Sequence, residues 1–275
     1  MLAGRAVSCV KRGIRSVPEP SLRRLSRSQL ESQLEALVHD AAGYSREHPQ
    51  GAAEGAWWER VPAELPGPGS PSWQLRPDDE DWDPAVVSSW RRAAVLFLFC
   101  LPEGAVAEPY LLLTERSAGL AKHPGQVSLP GGSQEEFDAG PAACALREAQ
   151  EEIGLDVTRA SLVGTLPPAP VPVSGFMVTP VVATAADPGV LTPQAGEVER
   201  VLRVPLTQLV DPQNRRSAVL RWKGVERRSP AFLYDGALIW GFTGILVDRV
   251  MSRLGWDQPW DESRAVDPRE HQRLG

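Results

Sequence analysis

From Gly131 to Leu155 the chain reads as a glycine turn, an acidic loop and a helix with two incompatible faces. Pro141 suits a first helical turn, and Gly154 suits a left-handed stop. Between them Ala142, Ala145, Leu146, Ala149 and Ile153 form a stripe of mostly small apolar residues, as packing on a sheet requires. Glu148, Glu151 and Glu152 fall at i, i+3 and i+4 on another face. Like charges at that spacing repel, and in the C-terminal half of a helix they also oppose its dipole. Neutralising cations would make the arrangement tolerable. Hard ions such as Mg²⁺ take carboxylate oxygens and are usually held against the phosphates of a substrate. The plainer reading of such a triplet is a solvated face. Against it stand the further acids Glu135, Glu136 and Asp138 just upstream, and a Gly131-Gly132 pair able to bring backbone close to a ligand.

The flanking sequence supplies a sheet. Ala93 to Phe99 has the length and continuous apolarity of a strand buried on both faces, and Tyr110 to Arg116 reads as a second. Ser161 to Leu166 and Met177 to Thr184 are further strands, while Ala237 to Leu254 carries apolar residues at helical spacing and is expected to pack across the sheet. Upstream, Ser28 is a candidate cap for a helix bearing Leu30, Leu34, Leu37 and Val38. The Pro/Gly-rich stretch from Pro49 to Pro84 holds Trp57, Trp58, Trp73 and Trp82, which a bare linker would lack, so these are expected to pack onto the main domain. The expectation is an α/β chain in three parts. Residues 1–88 are an N-terminal extension, a helix plus the Pro/Gly/Trp-rich segment and partly disordered. Residues 89–255 are the main domain, and residues 256–275 a polar, frayed tail with Trp256 and Trp260 as anchors.

Composition excludes several classes. The longest apolar stretch, Ala93 to Leu101, is far short of the ~20 residues of a membrane-spanning helix. Cys9, Cys100 and Cys144 have no metal-ligand spacing and are too few for a disulfide framework. A net charge of −6 argues against a dedicated nucleic-acid binder. Residues 1–28 hold seven basic residues and one acid, the bias of a mitochondrial presequence. Only three of the 29 basic residues in the chain are Lys, a coding bias that makes the Arg-rich start less diagnostic, so a cytoplasmic location is the first expectation and a mitochondrial one the alternative.

Gly132 to Leu155 resembles the Nudix box, G-x5-E-x7-R-E-U-x-E-E-x-G-U with U aliphatic. Arg147, Glu148, Glu151, Glu152, Gly154 and Leu155 match it, and Ala149 takes a U position. Asp138 replaces the upstream glutamate, and eight residues rather than seven separate it from Arg147. That shift resembles the coenzyme A pyrophosphatase-like branch, which carries L-L-T-x-R-[SA]-x3-R-x3-G-x3-F-P-G-G. Leu112-Leu113-Thr114-Glu115-Arg116-Ser117, Gly125 and Pro130-Gly131-Gly132 follow the pattern; Ala121 replaces its internal Arg, and Leu129 its Phe. Lys122 beside Ala121 is not an equivalent of Arg, being a point charge rather than a planar fork.

The resemblance implies a Nudix fold, an α/β/α sandwich with a mixed β-sheet, and metal-dependent hydrolysis of a nucleoside diphosphate derivative. In this branch that is coenzyme A or its derivatives, cut to adenosine 3′,5′-bisphosphate and phosphopantetheine; NADH or ADP-ribose is the alternative, and a catalytically weak binding or regulatory module another. It implies Glu148, Glu151 and Glu152 as ligands of Mg²⁺ or Mn²⁺, with Arg147 pairing a carboxylate of the box. The general base is either Glu148 or a carboxylate outside the box, for which Glu197 is the candidate; the other reading of Glu197 and Glu199 is a surface loop before a helix. Arg116, Lys122 and His123 are expected at the substrate's phosphates, with Gly131 and Gly132 admitting its approach; the other reading of His123 is a turn residue beside Pro124. Cys144 reads as core rather than nucleophile. A small-molecule nucleotide is the expected partner, with no nucleic acid and no membrane, and a homodimer is left open.

Overall fold

The computed structural model describes residues 22–23, 25–47, 57–58, 89–102, 108–171, 174–222 and 225–271. Residues 1–21 of the basic start, with Cys9, and Trp73 and Trp82 lie outside these residues. Strand β1 (Arg91–Cys100) is the axis of the molecule. It runs parallel to β7 (Phe176–Ala185), pairs antiparallel through Phe99 and Cys100 with the start of β2 (Tyr110–Arg116), and pairs antiparallel with β4 (Gly131–Ser133). β3 (Val127–Ser128) and β8 (Val198–Pro205) join β2, while β5 (Ser161–Thr165) and β6 (Ala169–Val171) join β7. One parallel pair among antiparallel ones makes this a mixed sheet, as expected.

Strand periodicity divides the apolar run of β1 between two cores. Ala94, Leu96, Leu98 and Cys100 face the helix α2 (Pro141–Ile153), meeting Cys144, Ala145, Ala149 and Ile153. Phe97, Phe99 and Leu101 face the other way, toward α1 (Arg27–Glu47) and α4 (Gly241–Arg253); the short α3 (Leu206–Val210) lies between the last two in sequence. Helices therefore cover both faces, and the α/β/α expectation holds.

The N-terminal helix is part of this core, with Leu30, Leu34, Leu37 and Ala41 buried. It begins one residue before Ser28. Ser26 is the cap: its Oγ accepts from the Gln29 N–H at 3.2 Å, and Gln29 Oε1 accepts from the Ser26 N–H at 2.9 Å, the reciprocal pair of a capping box. Trp57 donates its indole N–H to the Pro167 carbonyl at 3.0 Å, and Arg253 lies 4.8 Å from the Trp58 ring while its guanidinium donates to the Trp58 carbonyl and pairs with Asp40.

A second sheet of order β11-β10-β9-β12 was not foreseen. β9 (Arg215–Trp222) and β10 (Val225–Tyr234) form a hairpin, and β11 (Ala237–Ile239) turns back through Asp235-Gly236, whose φ values of 48° and 75° suit a tight hairpin turn. Hence the expected helix over 237–254 opens as a strand and becomes helical only at Gly241. The described residues after Leu254 are packed rather than frayed. Trp256 is fully buried and bonded to Gln33, β12 (Ala265–Val266) runs parallel to β9, and α5 (Pro268–His271) follows. Among the described residues no helix is long and apolar enough to cross a membrane.

Candidate active site

Gly140 and Pro141 open α2, and Gly154 closes it with φ 68°. The loop after it donates back to the last turn, with Thr192 N–H to the Ile153 carbonyl and Gln194 N–H to the Glu152 carbonyl, each at 2.8 Å. The C-terminal end of the acidic helix is thus fixed by the segment that leads to Glu197. Sequence reading missed this support, because a backbone donor in a loop has no residue signature.

The three glutamates occupy different environments. Glu152 is buried and accepts a hydrogen bond from the Gly131 N–H at 3.1 Å. Burial pushes its carboxyl up to about 7 despite that bond; Glu148 and Glu197 raise it further, and Arg116 opposes them. Glu148 is likewise raised, chiefly by desolvation and in spite of its 3.0 Å pair with Arg147. The outermost, Glu151, has its side chain 54% exposed and also meets Arg147 at 3.0 Å.

Arg147 holds the loop before the helix. Nε and Nη2 donate to the two carboxylate oxygens of Asp138 at 3.0 and 2.9 Å, and Nη2 donates to the Ser133 carbonyl. These bonds hold the Asp138 carboxyl below its usual range, the Arg147 pair contributing most. Asp138 in turn accepts from the Glu135 N–H. An aspartate one residue out of step thereby reaches the same guanidinium as the box carboxylates.

Two glycines let these parts meet. A Cβ on Gly131 would stand 2.3 Å from the Ala94 carbonyl oxygen, and one on Gly132 would stand 2.5 Å from Cδ of Glu148. Cys144 is buried behind them, with its thiol pushed up to about 11 by desolvation, which suits packing and not nucleophilic attack.

Arg116, Glu197 and the helix converge. The Ser117 N–H donates to the Glu197 carbonyl at 2.9 Å, tying the end of β2 to the turn before β8. The loop reading of Glu197 is met, but a strand follows it rather than a helix, because Val198, Leu202 and Val204 are buried along β8 against β2. Nε of Arg116 is buried without a hydrogen-bond partner. Lys122 and His123 are exposed in the turn that follows, His123 with φ 55°, and neither side chain has a hydrogen bond or ion pair to the acidic face among the described residues.

The donors available to a metal are carboxylate oxygens, the chemistry of a hard divalent cation. No three His, Cys, Asp or Glu side chains among the described residues come together as a ready cage, and Arg147 pairs with both Glu148 and Glu151. The fit lies in the donor set: Glu152 is buried with Glu148 and Glu197 near it, and because burial penalises its charge, a cation there would offset that penalty.

A model of the NUDIX domain matches residues 90–222. Nudix hydrolase 15, mitochondrial, of Arabidopsis thaliana is 40% identical over 164 residues, 57% of this chain and 56% of that protein. The chain thus spans little more than half the length of that relative. The uncharacterized Nudix hydrolase NudL of Citrobacter koseri is 36% identical over 171 residues, covering 60% of this chain and 83% of NudL. Among solved structures, the Nudix hydrolase RenU of M. smegmatis aligns over 42% of this chain and 70% of its own, with 27% identity and a TM-score of 0.36.

Proposed function

Since the chain belongs to the Nudix hydrolase family, we propose that it is a metal-dependent pyrophosphohydrolase that cleaves the diphosphate of coenzyme A or its derivatives to adenosine 3′,5′-bisphosphate and phosphopantetheine. The observation that carries the hydrolase reading is Glu152, buried on the acidic helix and held by the Gly131 N–H, with Glu148 and Glu197 near it. The segment Leu112–Ser117 with Gly125 and Pro130-Gly131-Gly132 supports the branch. Residues 89–255 are the hydrolase domain of this reading, and residues 1–88 its extension.

Glu148, Glu151 and Glu152 would hold Mg²⁺ or Mn²⁺. Such an ion neutralises the diphosphate and lowers the pKa of an attacking water. Arg116, whose Nε is buried without a hydrogen-bond partner, would meet a phosphate oxygen; the room at Gly131 and Gly132 is taken up by β1 and by the Glu148 side chain, so these glycines set the approach of β4 to the acidic helix. Arg147 holds Glu148 and Glu151 in place through its anchor on Asp138. Glu197 is the proton acceptor in this reading, exposed to solvent on the turn that Ser117 holds beside Arg116. Glu197→Gln is expected to lower kcat about a hundredfold with KM unchanged; an unaltered kcat would leave Glu148 as the base.

Ala121 favours a second reading within the family. With no guanidinium there, and with Lys122 and His123 exposed in the turn, an anion distal to the diphosphate loses a planar partner. NADH or ADP-ribose then becomes the substrate. The deciding experiment is kcat/KM for coenzyme A, NADH and ADP-ribose, each with Mg²⁺ and with Mn²⁺. Coenzyme A is expected to rank first. Ranking last would refute the branch assignment, and no hydrolysis across the panel would favour a binding module.

A further inference from the structure

Among the described residues, the exposed large apolar side chains are Phe137, Leu162 and Val190, and only Phe137 is aromatic. Single exposed apolar residues are ordinary on protein surfaces. Phe137 differs in where it sits and how it is held. Its ring lies 5.5 Å from the guanidinium carbon of Arg147, whose Nη1 contacts Glu148 and Glu151, so ring, cation and carboxylates form one continuous row. The next residue, Asp138, is locked to Arg147 by two hydrogen bonds and to the Glu135 N–H by a third. At the other end of the loop the Gln134 N–H donates to the Arg92 carbonyl at 2.9 Å. A ring that is 75% exposed is therefore carried on a short loop tied at both ends, beside the acidic face.

We propose that Phe137 is a specificity-determining residue: its ring stacks on the flat base of a nucleotide whose diphosphate lies on the acidic helix. The proposal rests on the diphosphate-hydrolase reading and adds to it the part of the substrate that is recognised. In a nucleoside diphosphate derivative one sugar separates the base from the phosphates, so a base-binding surface belongs at the margin of the phosphate site. An aromatic ring has few rotamers to lose, and a loop already ordered adds little to the entropy of binding. Stacking accepts any base, which places the discrimination between nucleotides and base-free diphosphates rather than between purines.

Calorimetry in Mg²⁺ with AMP, and with ribose 5-phosphate as the base-free probe, tests this on the full chain. Phe137→Ala is expected to weaken AMP about tenfold and leave ribose 5-phosphate unchanged. Phe137→Trp is expected to restore AMP binding and to add an emission signal that AMP quenches. Equal AMP affinity in wild type and F137A, an equal loss for both probes, or no AMP binding by the wild type would each overturn the proposal. The hydrolysis panel separates the two claims: base-selective binding with no turnover on any substrate refutes the hydrolase reading alone, whereas turnover with AMP affinity indifferent to residue 137 refutes the stacking alone.

Discussion

Glu152→Gln is expected to lower metal-dependent kcat by roughly a thousandfold, about 4 kcal/mol of transition-state stabilisation, without loss of fold. Glutamine keeps the shape of the side chain and a carbonyl oxygen for the Gly131 N–H, so the local bond survives. What disappears is the buried charge that the proposed ion requires. Stability supplies a second readout with a definite sign. The carboxyl rises from 4.5 in an ordinary setting to about 7 in the folded chain, so between those values the native state binds more protons than the unfolded one. Stability in the absence of metal must then fall as pH rises through that window. The penalty is on the order of 3 kcal/mol once pH exceeds about 7, and it is absent below about 4.5. Removing the charge removes the penalty. Metal-free E152Q should accordingly be more stable than wild type at pH 8, with the advantage shrinking toward pH 4.5; added Mg²⁺ should narrow the gap by stabilising wild type. Denaturant titrations at the two pH values check this, and undiminished turnover in E152Q would remove Glu152 from the site.

The adjacent glycines should fail in different ways. At Gly131 a Cβ would press on backbone, 2.3 Å from the Ala94 oxygen and 2.7 Å from Cα of Val95, and φ is 153°, where side chains are rarely accommodated. Neither strand can yield without breaking the β1–β4 pairing that aims the Gly131 N–H at Glu152. Gly131→Ala should cost at least about 3 kcal/mol, a fall in Tm of roughly 6–12 °C. At Gly132 the added Cβ meets only the end of the Glu148 side chain, which can swing aside. Gly132→Ala should keep its Tm close to that of wild type while kcat/KM falls about a hundredfold, because a proposed ligand is displaced by about an ångström. Calorimetric melting paired with kinetics separates the two. Equal loss of stability in both variants would contradict the account.

The helix bearing the site was legible because local rules agree along it: Pro141 at the start, Gly154 at the stop, an apolar stripe on one side and acids on another. The strands β1, β2, β5 and β7 were legible as apolar runs of strand length. The second sheet was not. Its hairpin carries Arg215, Arg216, Arg221, Arg227 and Arg228 among its apolar residues, and a run so charged does not announce a buried strand. Arg215 is nonetheless buried, paired with Asp248 and lying 4.2 Å from the Phe232 ring and 4.8 Å from that of Trp260. Those partners are 17 to 45 residues away along the chain, beyond the reach of any periodicity.

For the site itself, the sequence alone determined that Glu148, Glu151 and Glu152 share one side of a helix, since that follows from helical spacing. It also placed two glycines ahead of them and put Arg147 among carboxylates. Only the tertiary structure decided which glutamate is buried, because burial depends on what the sheet lays over each position: β4 covers Glu152, while Glu151 stays in water. The same packing brought Arg116 and Glu197 to the helix, left Lys122 and His123 in an exposed turn, and set Phe137 beside Arg147. Spacing along a chain governs which side chains point together. The strength of their charges is set by solvent, and solvent is excluded only when distant segments pack.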